Sequence, residues 1–181
     1  MKTIRIHTKD HQSIKQFETL QWCLKAIARA KIIKHLNYLY IDSDFIVGTD
    51  GHRIHIAFND WDYEPGLYEE ILVKPNEIIL AKSETHLPEE YPSIWRAIPT
   101  QCQNGIPSFY CYLNKKDESR NKSQLAYHVY THTRLCYNLK YLEDIRMEGK
   151  MRFELGEDNL TLIVASEDHD RLGLIMPFRQ E

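Results

Sequence analysis

Three short runs between residues 37 and 59, NYLYID (37–42), DFIVGTD (44–50) and HRIHIAFN (52–59), are β-rich and are parted by turn residues. Runs of this length and composition predict a meander of three strands. Asp50-Gly51 falls at the second junction, and such a dipeptide permits a tight hairpin turn with positive φ. Before the meander, Lys2 to His7 (KTIRIH) alternates polar and apolar, as a half-buried strand does. A helix follows. Ser13 is the expected N-cap, and Ile14, Phe17, Leu20, Leu24 and Ile27 recur at helical spacing up to Ala30. At about 100° per residue, Lys15, Glu18, Trp22, Lys25 and Arg29 gather on the opposite arc, which makes a mostly basic solvent face.

Downstream, GLYEEILVKP (66–75) predicts another strand and NEIILAK (76–82) a short helix, so the front of the chain is read as βαβββ. From Ser83 to about Leu135 the pattern is irregular. Five of the seven prolines lie between Pro75 and Pro107, and the polar run NKKDESRNKSQ (114–124) predicts a solvated loop. Within this stretch SFYCYL (108–113) and LAYHVYTH (125–132) are read as strands. YNLKYLEDIR (137–146) is then a short helix with Leu139, Leu142 and Ile145 on one side, and MRFELGE, NLTLIVAS and RLGLIMPF alternate like three more strands. The back end thus repeats the order β, short α, βββ. These elements predict an α+β protein of antiparallel sheets with few helices and a βαβββ half at each end. The expected organisation is one compact unit, with a front half of about 1–83, an irregular connector of about 84–132 and a back half of about 133–181. Two abridged domains, 1–97 and 98–181, are the alternative.

A length of 181 residues allows one sizeable core or two small ones. With 43% hydrophobic and 27% charged residues, the composition is that of a globular protein. The net charge of -3 excludes a polybasic nucleic-acid binder, so an anionic partner must meet a local patch of Lys and Arg. Cys23, Cys102, Cys111 and Cys136 form no CxxC pair, which argues against a zinc ribbon or a disulfide framework. Reduced thiols in a cytoplasmic protein are expected. The N-terminus MKTIRIHTKD has no apolar signal region and no apolar run approaches membrane-spanning length, so neither secretion nor membrane insertion is expected.

TDGHR (49–53) after an apolar strand, YPSIWRAIP (91–99), YNLKYLEDI (137–145) and a C-terminal LGLIMPFR (172–179) resemble, in that order, segments of the bacterial DNA polymerase III β subunit, the sliding clamp. The resemblance covers the two ends well and residues 83–135 poorly. The chain is far shorter than the three-domain family member; it resembles parts of the second and third clamp domains joined through an abridged middle. In that family the TDGHR turn, an interdomain proline and a C-terminal MPxR line a hydrophobic groove that accepts short peptides from polymerases and other clients. The resemblance therefore implies a groove of Thr49, Gly51, His52, Arg53, Ile54, Pro99, Leu174, Met176, Pro177, Phe178 and Arg179. Phe178 stands where the family usually has Met, which changes the pocket's shape. The residue types suit this use: Gly51 lets backbone approach a ligand, Met176 and Phe178 offer an adaptable apolar floor, and Arg53 and Arg179 suit a rim that clamps acceptors.

Helices line the central hole of clamps, and their basic residues meet the phosphate backbone without reading sequence. Lys15, Lys25 and Arg29, with Lys140, Arg146 and Lys150 around the second helix, are the implied DNA contacts. Glu18, Glu143 and Asp144 interrupt both faces, so contact is expected to be loose and salt-dependent. The implied function is a processivity factor or adaptor that binds DNA non-specifically, docks polymerase or other client peptides, and forms a homo-oligomer. A decoy that binds clients without encircling DNA is the alternative.

Neither a cofactor nor an enzymatic activity is expected. The sequence has no GxSxG, no glycine-rich phosphate loop and no HExxH. Among its nine histidines, His52 and His55 stand three apart and His128 and His132 four apart, spacings that suit a metal on a helix. Both segments read as strands, which places His52 and His55 on opposite faces and His128 and His132 about 13 Å apart. No metal site is therefore expected, and a hydrolase built on these four histidines is the remotest alternative.

Overall fold

The computed structural model describes residues 2–29, 34–84, 109–113, 121–156 and 160–177. The chain divides into two compact units, Met1–Ser93 and Ile94–Glu181. The first contains β1 (Thr3–His7), α1 (His11–Leu24), a 3₁₀ turn (Lys34–Asn37), β2 (Leu39–Ile41), β3 (Phe45–Thr49), β4 (Arg53–Phe58), β5 (Gly66–Lys74) and β6 (Glu77–Lys82). Its strands lie in the order β1-β6-β5-β2-β3-β4, each neighbour antiparallel. The predicted meander is therefore present as β2, β3 and β4. Residues 77–82 are a strand, not the expected short helix. Six residues are too few for their period to decide, and pairing with β1 and β5 settles the matter: Ile4 opposes Leu80 and Ile6 opposes Ile78, which puts like faces together.

Helix α1 packs on β1, β3 and β4. Its N-cap is Asp10, one turn before the expected Ser13. The Ser13 N–H donates to Asp10 Oδ1 at 2.8 Å and the Asp10 N–H donates to Ser13 Oγ at 3.0 Å, a reciprocal capping box. Phe17, Leu20 and Leu24 are buried, as their spacing requires, whereas Ile14 is 39% exposed. Trp22, expected on the solvent arc, is 3% exposed because its ring stacks on His55 of β4 at 4.3 Å. The helix ends at Leu24 with Lys25 as its C-cap, so Lys25 and Arg29 do not extend one helical face with Lys15.

The second unit contains β7 (Phe109–Leu113), α2 (Asn121–Thr133), α3 (Leu139–Asp144), β8 (Gly149–Leu155), β9 (Leu162–Ser166) and β10 (Arg171–Ile175). Its sheet runs β10-β9-β8-β7, again antiparallel throughout. LAYHVYTH is helical, not a strand. Among its described side chains Leu125, Val129 and Thr133 are buried, four apart in each step, and α2 packs on β7 and α3. The end of the run expected to be a loop, residues 121–124, also belongs to α2. Asn138 caps α3 by accepting from the Lys140 N–H at 2.9 Å, and Leu142 and Ile145 are buried as predicted while Leu139 is exposed. The architecture is α+β with antiparallel sheets and few helices. Among the described residues the front adds two strands to the expected order and the back adds a helix.

Candidate functional site

The TDGHR segment is the connection between β3 and β4, whose register pairs Thr49 with Ile54. Its side chains replace the hydrogen bonds that a wider turn leaves open. Asp50 Oδ1 accepts from the backbone N–H of His52 at 2.9 Å and of Arg53 at 3.1 Å. Thr49 Oγ1 donates to the Arg53 carbonyl at 2.8 Å and accepts from the Gly51 N–H at 3.1 Å. Gly51 has φ +88°, the left-handed region in which glycine is unstrained. Thr49, Asp50 and Gly51 thus each have a geometric reason to stand where they do.

The turn is fastened to the end of α1. Arg53 is 7% exposed; its Nε lies 3.1 Å from Asp50 Oδ2 and its Nη2 donates to the Lys25 carbonyl. His55 is fully buried with Nδ1 2.8 Å from the Trp22 carbonyl. A carbonyl only accepts, so Nδ1 carries the proton. Two donors from β4 therefore meet carbonyls at the C-terminal end of α1, where the helix dipole is negative. Gly48 allows the close approach: a Cβ there would lie 2.0 Å from the Cys23 carbonyl oxygen. Gly48, His55 and Trp22 escaped the sequence reading as site-forming residues. A glycine inside a strand pattern was the available signal, since it marks close backbone approach.

With Thr49 and Arg53 turned inward, the outer surface of the hairpin is Gly51 and His52, both exposed, beside the half-buried Ile54. The guanidinium expected at a rim is instead committed to the hairpin's own fastening. In the second unit Leu174 is buried near the end of β10, Met176 is 52% exposed and Pro177 is half-buried. Pro99, Phe178 and Arg179, and the whole YPSIWRAIP segment, lie outside the described residues.

Four of the six candidate DNA-contacting cations stand beside carboxylates. Lys15 Nζ is 3.2 Å from Asp60, and Arg29 Nη1 is 2.8 Å from Glu70. Lys140 Nζ is 2.7 Å from the buried Asp144, and Lys150 Nζ is 3.8 Å from Glu167 and 4.5 Å above the Tyr110 ring. Lys25 is exposed at the helix cap, and Arg146 is half-buried, near enough to Cys111 to oppose the upward push of burial on that thiol.

Among the histidines, the strand argument against a pair at 128 and 132 falls with the strand. On α2 their ring centroids are 4.4 Å apart, not the 13 Å expected. Among the described residues no group of three His, Cys, Asp or Glu is placed to hold a metal. Nor is any described helix long and apolar enough to cross a membrane.

No family model matches the sequence, and no curated protein does. Solved structures do match. The DNA polymerase sliding clamp of Pseudomonas aeruginosa aligns over 98% of this chain and 67% of its own, with TM-score 0.59 and 14% identity. DNA polymerase III subunit β of Borrelia burgdorferi aligns over 100% and 65%, with TM-score 0.61 and 13% identity. The C. crescentus β sliding clamp aligns over 99% and 66%, with TM-score 0.62 and 13% identity. The fold is that of the DNA sliding clamp. At this identity the likeness establishes architecture alone, and the chain spans about two thirds of the length of the clamps it matches. The clamp-fold assignment agrees with the four motifs in the sequence, although the alignment also runs through the middle, where the motifs are sparse.

Proposed function

We propose that this clamp-fold protein is a non-enzymatic processivity factor or adaptor of DNA replication, which contacts DNA through its backbone and holds client proteins by short peptides. The observation that carries the reading is the alignment of nearly the entire chain with DNA polymerase III β subunits. We take the two units as abridged clamp domains. On this reading the protein acts as a homo-oligomer that encloses or cradles DNA, with Lys15, Lys25, Arg29, Lys140, Arg146 and Lys150 meeting phosphates. Client peptides engage the hairpin surface of Gly51, His52 and Ile54 and the apolar tail of Leu174, Met176, Pro177 and Phe178, with Pro99 and Arg179 completing the set. Arg53 serves this surface indirectly, by holding the hairpin on α1.

Peptide binding is tested by fluorescence anisotropy with labelled short apolar peptides from replication proteins. Met176 is exposed, so Met176→Ala is expected to leave the fold intact and to weaken binding by about 1–2 kcal/mol, roughly five- to thirtyfold. Equal affinity in wild type, Met176→Ala and His52→Ala would remove the assignment of this surface. A second reading, a client-binding decoy that does not enclose DNA, is favoured by the carboxylates beside Lys15, Arg29, Lys140 and Lys150 and by the net charge of -3. It retains peptide binding and lacks affinity for DNA.

A further inference from the structure

We propose that His128 and His132 form a two-histidine site for a divalent transition-metal ion, which staples one turn of α2. Residues four apart on a helix lie one above the other on the same face, so one ion can bridge them. Here the ring centroids are 4.4 Å apart and the rings are inclined by 58°. Imidazole nitrogen binds such ions at about 2.1 Å, which sets a ring centroid roughly 3.2 Å from the ion. Two rings 4.4 Å apart then subtend close to a right angle at a shared ion, as adjacent ligands do in octahedral or square-planar coordination.

The hydrogen bonds prepare the correct nitrogens. His132 Nδ1 lies 2.8 Å from the His128 carbonyl, which only accepts, so Nδ1 bears the proton. Thr131 Oγ1 donates to the same carbonyl at 2.8 Å and is 3.3 Å from His132 Nδ1, a contact in which the hydroxyl accepts. Neutral His132 therefore carries its free lone pair on Nε2. A backbone carbonyl that fixes the tautomer in this way is the usual second partner of a metal-binding histidine. His128 Nε2 is buried and has no hydrogen-bond partner among the described residues, an unusual state for such a nitrogen. Phe109 of β7 stacks on His132 at 4.3 Å and meets His128 at 5.3 Å in a T-shaped contact, which limits how either ring turns. His132 is exposed, so an ion enters from solvent.

No third His, Cys, Asp or Glu among the described residues joins the pair, so water completes the coordination sphere. Two imidazoles with water favour zinc, nickel or copper over magnesium or calcium. The expected role is structural: an ion closing one turn of α2 adds its binding energy to the helix and to the α2–β7 contact. This inference stands apart from the DNA and peptide reading.

The experiment is calorimetric titration of the metal-stripped full chain with zinc and nickel chlorides at pH 7.5, paired with thermal unfolding. One ion per chain is expected, together with a metal-dependent rise in Tm. His132→Gln and His128→Gln should each weaken binding by roughly tenfold or more and abolish the Tm rise, while His11→Gln, at the exposed start of α1, retains both. Because His132 is exposed, its variant should keep the wild-type circular dichroism spectrum. Absence of saturable binding would overturn the proposal, as would an affinity and Tm rise that persist unchanged in folded His132→Gln.

Discussion

Replacing Gly48 by alanine is expected to destabilise the first unit by about 3–5 kcal/mol. The backbone there is ordinary β3 strand, so the demand is for space. A Cβ would sit 2.0 Å from the Cys23 carbonyl oxygen and 2.9 Å from its carbon. Comfortable carbon contacts are about 3.5–4.0 Å, so β3 and the end of α1 must part by more than roughly 1 Å. The obstacle is backbone and cannot rotate aside. Overpacking of this kind costs about 1–3 kcal/mol. The same separation strains two bonds across the junction, Arg53 Nη2 to the Lys25 carbonyl and His55 Nδ1 to the Trp22 carbonyl, and a lost hydrogen bond adds about 0.5–3 kcal/mol. Against a typical domain stability of about 5–15 kcal/mol, the loss is readily measured. Urea unfolding followed by tryptophan fluorescence should show a lower midpoint at unchanged slope. Gly51→Ala supplies the contrast: its φ of +88° costs about 1–2 kcal/mol, but its nearest neighbour, Leu36 Cδ1, is 3.7 Å away. A Gly48→Ala protein within about 0.5 kcal/mol of wild type, or more stable than Gly51→Ala, would refute the close passage of strand and helix.

Other consequences are independent of that junction. Arg53→Ala removes the guanidinium bonds to Asp50 Oδ2 and to the Lys25 carbonyl while the backbone bonds to Asp50 Oδ1 remain, and a loss of about 1–3 kcal/mol in urea unfolding is expected; no loss would mean that the guanidinium does not fasten the hairpin. Thiol alkylation should reach the exposed Cys136 first and Cys111 later, because burial pushes the Cys111 thiol up, with the buried Cys23 last; mass spectrometry of partly labelled protein reads the order, and early labelling of Cys23 would contradict the packing of α1 on β3. Ser13 holds the Asp10 carboxyl below its ordinary range, and Lys2 and Lys82 do the same for Glu64. Both folded values are depressed, so the stability they confer is present above the unfolded values and is lost as pH falls through the folded ones. Unfolding midpoints should therefore decline from about pH 5 downward, and Asp10→Ala with Glu64→Gln should flatten that decline. If Lys15 and Arg29 meet phosphates, Asp60 and Glu70 compete for them, so Asp60→Asn with Glu70→Gln should strengthen DNA binding in low-salt anisotropy; unchanged affinity would remove both cations from the DNA surface.

The strands were legible where one face is buried and the other wet, as in β1 and β8, because alternation then survives in the sequence. Residues 77–82 lost that signal: Ile78, Ile79 and Leu80 form a continuous apolar run that short helices share. LAYHVYTH misled through its Tyr, Val and Thr, whose strand preference outweighed the four-residue spacing of Leu125, Val129 and Thr133. Trp22 was misplaced because a helical wheel assumes one covered face, whereas the last turn of α1 is also covered by His55. The TDGHR turn was found by its glycine and by family likeness, but the inward commitment of Arg53 depends on the Lys25 carbonyl, 28 residues away, which no local pattern encodes.

A clamp-type assembly around DNA is tested by the protein's absolute mass in solution, measured by light scattering coupled to size exclusion across a wide concentration range. The proposal predicts a discrete oligomer whose mass does not change on dilution, as closed rings have no free ends. A monomer at every concentration would contradict ring assembly and leave the client-binding decoy.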